Sequence, residues 1–119
     1  GDPLVAKGSI SPEDLEGLPL IASDQALETD ELSAWFGESL ARAKVVATYT
    51  LGYNALVFVR EGAGCMLGLD ALAPTGPGTG LEFRPLWPPV VAHIDFAWRR
   101  GQKLSNAASM FLEDFKAAL

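Results

Sequence analysis

Between Ala43 and Leu69 the chain spells out one supersecondary unit, and no other stretch restricts the fold as much. Ala43 to Thr48 is β-branched in character and reads as a strand. Tyr49-Thr50-Leu51-Gly52 follows as a turn. Tyr53 to Glu61 is apolar nearly all round, the mark of a helix buried on most faces. Gly62 is placed to end that helix, and Cys65 to Leu69 reads as the next buried strand. Strand, helix, strand in this order is a βαβ unit, so the two strands should be parallel with a right-handed crossover. The expected class is α/β, with a mixed, mostly parallel sheet flanked by helices.

The flanking sequence fits that plan. Ser11-Pro12-Glu13-Asp14 opens a short helix that Gly17 stops, and Leu18 to Ala22 reads as a strand. Pro19 argues that this strand starts after it or runs at an edge. Thr29 caps a second helix whose Leu32, Trp35, Phe36 and Leu40 make one apolar stripe. Pro74 to Gly80 is a surface loop, and Leu81 to Leu86 alternates as a strand does. Trp87-Pro88-Pro89 stops it. Val90 to Trp98 reads as a long strand carrying Ile94, Phe96 and Trp98 on one face. After a turn at Gly101-Gln102, Ser105 caps a closing helix with Ala108, Phe111, Leu112, Phe115, Ala118 and Leu119 as its stripe.

Composition removes several function classes. A chain of 119 residues holds one domain, and its net charge of −6 offers no basic stripe for nucleic acid. Only Arg99, Arg100 and Lys103 group together. The acids Asp24, Glu28, Asp30, Glu31 and Glu38 read as a solvated face. Cys65 is the sole cysteine, so no internal disulfide forms, and His93 lies on a different expected strand. One Cys and one His make no zinc site, no cofactor motif is present, and no nucleophile motif points to an enzyme. Gly62 and Gly64 both read as turn residues. No apolar run is long enough to span a membrane, no signal-type segment appears, and a cytoplasmic setting is expected. The start at Gly1-Asp2-Pro3-Leu4, without Met, leads us to expect a fragment rather than a complete gene product.

One place invites a ligand. Ligands of open α/β sheets bind beyond the carboxyl ends of strands, and Tyr49-Thr50-Leu51-Gly52 joins such an end to a helix N-terminus. Free amides and the positive end of the helix dipole favour an anion there. Thr50 adds a hydroxyl and Gly52 allows close approach. The alternative is that Thr50 only caps the helix.

The tail carries a family likeness. Phe83-Arg-Pro-Leu-Trp-Pro-Pro, then Trp98-Arg-Arg-Gly-Gln-Lys-Leu-Ser-Asn-Ala-Ala-Ser-Met-Phe-Leu, resembles the end of LysR-type effector-binding domains. Tyr49 to Leu67 is similar to their helix and "EG-x-G" turn. Asp2-Pro3-Leu4 with Ser11-Pro-Glu-Asp-Leu-Glu-Gly-Leu-Pro-Leu-Ile resembles their opening segment, with Asp2 where the family has His. The resemblance runs end to end. It implies a fold like that of periplasmic binding proteins, in which two α/β subdomains close on an effector. Residues 1–89 would be the second subdomain, and residues 90–119 a strand and helix returning to the first. The rest of the first subdomain and the winged helix-turn-helix would precede Gly1, so DNA would be contacted only through that missing part.

The same resemblance implies a regulator's sensing domain, not an enzyme, for a small-molecule effector, in a homo-oligomer; the free amides at the Tyr49 to Gly52 turn point to an organic anion as that effector. Its site residues would be Tyr49, Thr50, Leu51 and Gly52, with Gly68 and Leu69 at the end of the following strand. Near Leu69 the family has a proline that this chain lacks. A solute-binding domain of a transport system is the alternative with the same architecture.

Overall fold

The computed structural model describes residues 2–119. Its centre is a three-stranded parallel sheet made of β1 (Pro19–Ser23), β2 (Lys44–Tyr49) and β3 (Cys65–Met66), in the spatial order β2-β1-β3. The expected βαβ unit is present as β2, α3 (Gly52–Arg60) and β3, with strands parallel to each other. Its crossover spans β1, which lies between them. Pro19 opens the central strand rather than an edge one. That position tolerates proline because the first residue of a strand need not donate to the ladder. Leu20, Ile21 and Ala22 are buried on both faces, as a central parallel strand requires.

Two short helices follow β1. Ser23 caps α1 (Asp24–Leu27), accepting from Ala26 N, and Thr29 caps α2 (Asp30–Phe36), accepting from Leu32 N. Leu32 and Phe36 join Ile10, Leu15 and Leu20 in the core. The expected stripe stops short of Leu40, which is exposed. Gly37 takes φ +53, ends the α-helix, and the chain continues as a 3-10 turn to Arg42. Under that turn the Glu16 carboxylate accepts from Arg42 through both oxygens, at 2.8 Å each, and from the Ser39 hydroxyl at 2.6 Å. This group ties the Pro12–Leu15 turn, the remnant of the expected first helix, to the start of β2. The acids of α1 and α2 are solvent-exposed.

Several expectations need correction. The helix from Tyr53 is not buried on most faces: Ala55 and Leu56 are buried, but Tyr53 is 71% exposed and Val57 and Phe58 are each 56% exposed. A sheet of three strands is too narrow to cover more than one side of it. The strand at Cys65 ends at Met66, after which a single further bond, Leu67 N to Ile21 O at 2.8 Å, continues the ladder. Leu81 to Leu86 is not a strand. It makes isolated bridges, Gly76 with Leu81 and Ile10 with Leu86, and Pro85 has no N–H to extend the second.

The long strand at Val90 to Trp98 is absent as well. Those residues pair with no strand among the described residues, and Ile94 is 85% exposed. Alternation specifies a face, but a strand also needs an edge to pair with. Beyond it, Ser105 caps α4 (Asn106–Ala118), accepting from Ala108 N. Residues 90–119 form an arm. Its Phe96, Phe111 and Phe115 rings cluster at centroid distances of 4.7 to 6.1 Å, and Lys116 lies over Trp98. The arm makes the molecule long, 52 × 35 × 24 Å with a radius of gyration of 17.6 Å. A compact chain of this length would have about 13.5 Å.

Candidate functional site

All three strands run the same way, so their carboxyl ends at Ser23, Tyr49 and Met66 share one edge of the sheet. At β2 the chain turns through Thr50 and Leu51 into α3. Leu51 holds the N-cap position of α3, and no side chain caps the helix. Thr50 is exposed and makes no capping hydrogen bond. The first-turn amides of α3 therefore open towards this edge without a side-chain partner.

Tyr49 spans the edge. Its hydroxyl donates to Leu67 O at 2.8 Å, on the far side of β1. Burial pushes the phenol's pKa above its ordinary value, so it stays protonated and able to donate at neutral pH. Two glycines make room beneath. A Cβ on Gly52 would come within 3.2 Å of the Met66 methyl, and one on Gly68 within 3.1 Å of the same atom.

Beside this crossbar lies an open cavity of about 340 Å³. Tyr49, Thr50 and Leu51 line it, together with Ile21, Asp24, Ala47, Thr48, Asn54, Ala55 and Phe58. Of the six residues expected at a site, three thus line one cavity. Gly52 and Gly68 sit behind it against Met66, and Leu69 is exposed and apart from the lining. Asp24 and Asn54 escaped the sequence reading. Asp24 follows directly on the end of β1, so the rule that found the β2 end would have found it too. The charge lining the cavity is that of Asp24 alone. A second, wider cavity of about 580 Å³ lies between α2 and the Pro88–Val91 segment, with Trp35 and His93 in its wall.

Other chemistry finds no such setting. Burial, then the nearby Asp2 carboxylate, raises the Cys65 thiol's pKa, which keeps it protonated and poorly nucleophilic. Among the described residues no three His, Cys, Asp or Glu side chains gather as a metal site would need, and no helix is long and apolar enough to cross a membrane.

Compared with protein families, residues 1–119 match the model of the LysR substrate binding domain. The chain belongs to that family. LysR substrate-binding domains have the periplasmic-binding-protein-like fold, and the parallel sheet flanked by helices is this chain's share of it. They are the effector-binding parts of transcription regulators rather than enzymes. Neither the curated proteins nor the solved structures gave a match. The cavity beside Tyr49 lies at the carboxyl edge of this chain's sheet.

Proposed function

We propose that the cavity at the β2–α3 turn is this domain's share of the effector cleft. Tyr49, Thr50, Leu51 and Gly52 form its binding flank, with Gly68 and Leu69 on the opposite side of the crossbar. The observation that carries this is the meeting of an uncapped helix N-terminus with a cavity at the carboxyl edge of a parallel sheet. Residues 1–89 act as one effector-binding subdomain, and residues 90–119, an arm that ends in α4, return to the other. DNA contact belongs to a different part of the regulator, since a net charge of −6 opposes binding to phosphates. The regulator works in the cytoplasm as a homo-oligomer.

The effector is a small organic anion. The amides and dipole at the start of α3 favour a carboxylate by about 0.3–1 kcal/mol at an exposed terminus. Asp24, in the same wall, repels each negative charge that a ligand brings, so a monocarboxylate is opposed less than a dicarboxylate. With one flank of a cleft, affinity is millimolar at best, about −4 kcal/mol.

An NMR titration of the chain with benzoate and, separately, succinate tests this. Benzoate is expected to shift the Thr50 to Asn54 amides in a saturable way and succinate to act more weakly. Shifts confined to other regions, or none with either acid up to about 50 mM, some fiftyfold above a 1 mM constant, would reject the anion site.

A further inference from the structure

The two flanks of the proposed site leave from strands that are not neighbours. β2 and β3 each bond to β1, and the sheet's own hydrogen bonds do not join their outgoing turns. The Tyr49 side chain does. We propose that Tyr49 is a positioning residue of the effector site, whose phenol locks the β2–α3 turn to the backbone after β3 so that the two flanks move together. The inference rests on the site assignment above.

Three observations carry it. The Tyr49 hydroxyl donates to Leu67 O at 2.8 Å, and the Leu67 amide donates to Ile21 O at 2.8 Å, so the peptide units on both sides of Leu67 are held. The Met66 methyl fits between Gly52, on one flank, and Gly68, on the other, so closely that a Cβ on either, at 3.2 and 3.1 Å, would require the methyl to give way by a few tenths of an ångström. The same imaginary Cβ atoms would lie 3.6 Å from Tyr49 Cε2 and 3.7 Å from its hydroxyl oxygen. Both glycines thus border one ring and one methyl group, and a displacement of either flank must displace Tyr49 or Met66. A ligand drawn to Thr50 through Gly52 is therefore felt at Gly68, and the spacing of the flanks, which limits ligand size, is set by the length of a tyrosine.

The test needs no ligand, so its failure is distinct from failure of the carboxylate titration. Tyr49→Phe keeps the ring and removes the donor. Amide exchange at Leu67 is expected to quicken at least tenfold while Leu20 to Ala22 in β1 keep their rates. In the parent chain, Thr50→Val should shift the Leu67 to Leu69 amides, and in the Tyr49→Phe background it should no longer do so. Unchanged Leu67 exchange overturns the proposal, and so does an equal rise throughout β1, which would mark a residue that only supports the fold. Gly68→Ala gives a second route: its added Cβ presses on the Met66 methyl and should shift the Thr50 to Gly52 amides, with the exposed Met110 methyl as the unmoved reference. No change at Thr50 to Gly52 there also overturns it.

Discussion

Trp35 on α2 donates its indole N–H to Pro88 O at 2.7 Å, across 53 positions of sequence. The bond fastens the root of the C-terminal arm to the body of the domain. The ring also meets Phe36 edge-on, at 5.0 Å, so Trp35 links the arm to the core by one polar and one apolar contact. Trp35→Phe keeps most of the apolar contact and removes the bond. A net hydrogen bond contributes about 0.5–1.5 kcal/mol. At roughly 4 °C per kcal/mol, the expected drop in Tm is about 2–6 °C by calorimetry. An unchanged Tm would mean that the arm is not fastened at this point.

Acid should weaken the domain through Glu16. Hydrogen bonds from Arg42, then from Ser39, hold its carboxyl below the ordinary value of 4.5. A group whose pKa is lower folded than unfolded stabilises above the unfolded value and loses that effect as pH falls through the folded one. Asp14, lowered from 3.8 mainly by its hydrogen bond from Lys7, acts in the same direction. Tm should therefore hold steady down to about pH 5 and fall below 4.5. Glu16→Gln should lower Tm at neutral pH and flatten the acid limb. An acid limb as steep as the parent's would assign the effect to other carboxyls.

Gly62 and Gly64 read alike in sequence, and the structure gives them different reasons. Gly62 has φ +79 with open space where a Cβ would point. Gly64 is close-packed: a Cβ there would stand 2.5 Å from Pro19 O and 3.0 Å from its carbonyl carbon. Gly62→Ala should cost about 1–2 kcal/mol of backbone strain. Gly64→Ala must push the lead-in of β3 away from β1, and should cost more, about 2–3 kcal/mol. Urea melts of both variants give the comparison. A smaller loss for Gly64→Ala would show that the two strands have room to part.

This pair illustrates what sequence could and could not supply. Periodicity and turn chemistry were enough for the βαβ unit, the caps at Thr29 and Ser105, and the turn at Tyr49 to Gly52, because each is written within a few residues. Close approach of Gly64 to Pro19 depends on two segments 45 positions apart, and the reach of Tyr49 to Leu67 on two that are 18 apart. The missing strand at Val90 to Trp98 failed for the same reason. Its alternation is real, but pairing is a property of the neighbour, and among the described residues no strand lies beside it. Of the site, Asp24 stands outside a reading of the β2 and β3 ends, because it follows the end of β1.

The arm should drive self-association. Ile94, Phe96, Trp98 and Phe111 expose apolar surface together, and such patches seek cover. Arg99, Arg100 and Lys103 at its tip complement the exposed acids Asp24, Glu28, Asp30 and Glu31 on another copy. Light scattering should give a mass that rises with concentration, reduced by high salt and by Phe96→Ser with Phe111→Ser. A constant monomer mass up to about 0.5 mM, where even weak patches should meet, would show that the cluster satisfies itself within one chain.

Thr50 separates a structural role from a binding one. If its hydroxyl capped α3, Thr50→Val would cost about 0.5–2 kcal/mol. The cap position belongs to Leu51, and Thr50 is exposed without a capping bond, so the substitution should stay within about 0.5 kcal/mol of the parent. Valine keeps the shape and removes only the hydroxyl. A hydrogen bond to a charged ligand group contributes about 1.5–3 kcal/mol, so benzoate affinity should weaken at least tenfold. In the intact regulator the same change should abolish induction while the protein remains folded. A Thr50→Val domain that melts as the parent does and binds benzoate equally well would place the carboxylate elsewhere on the carboxyl edge. The amides of α3 would then be the next group to examine, through Gly52→Pro, which removes one donor from the first turn of the helix.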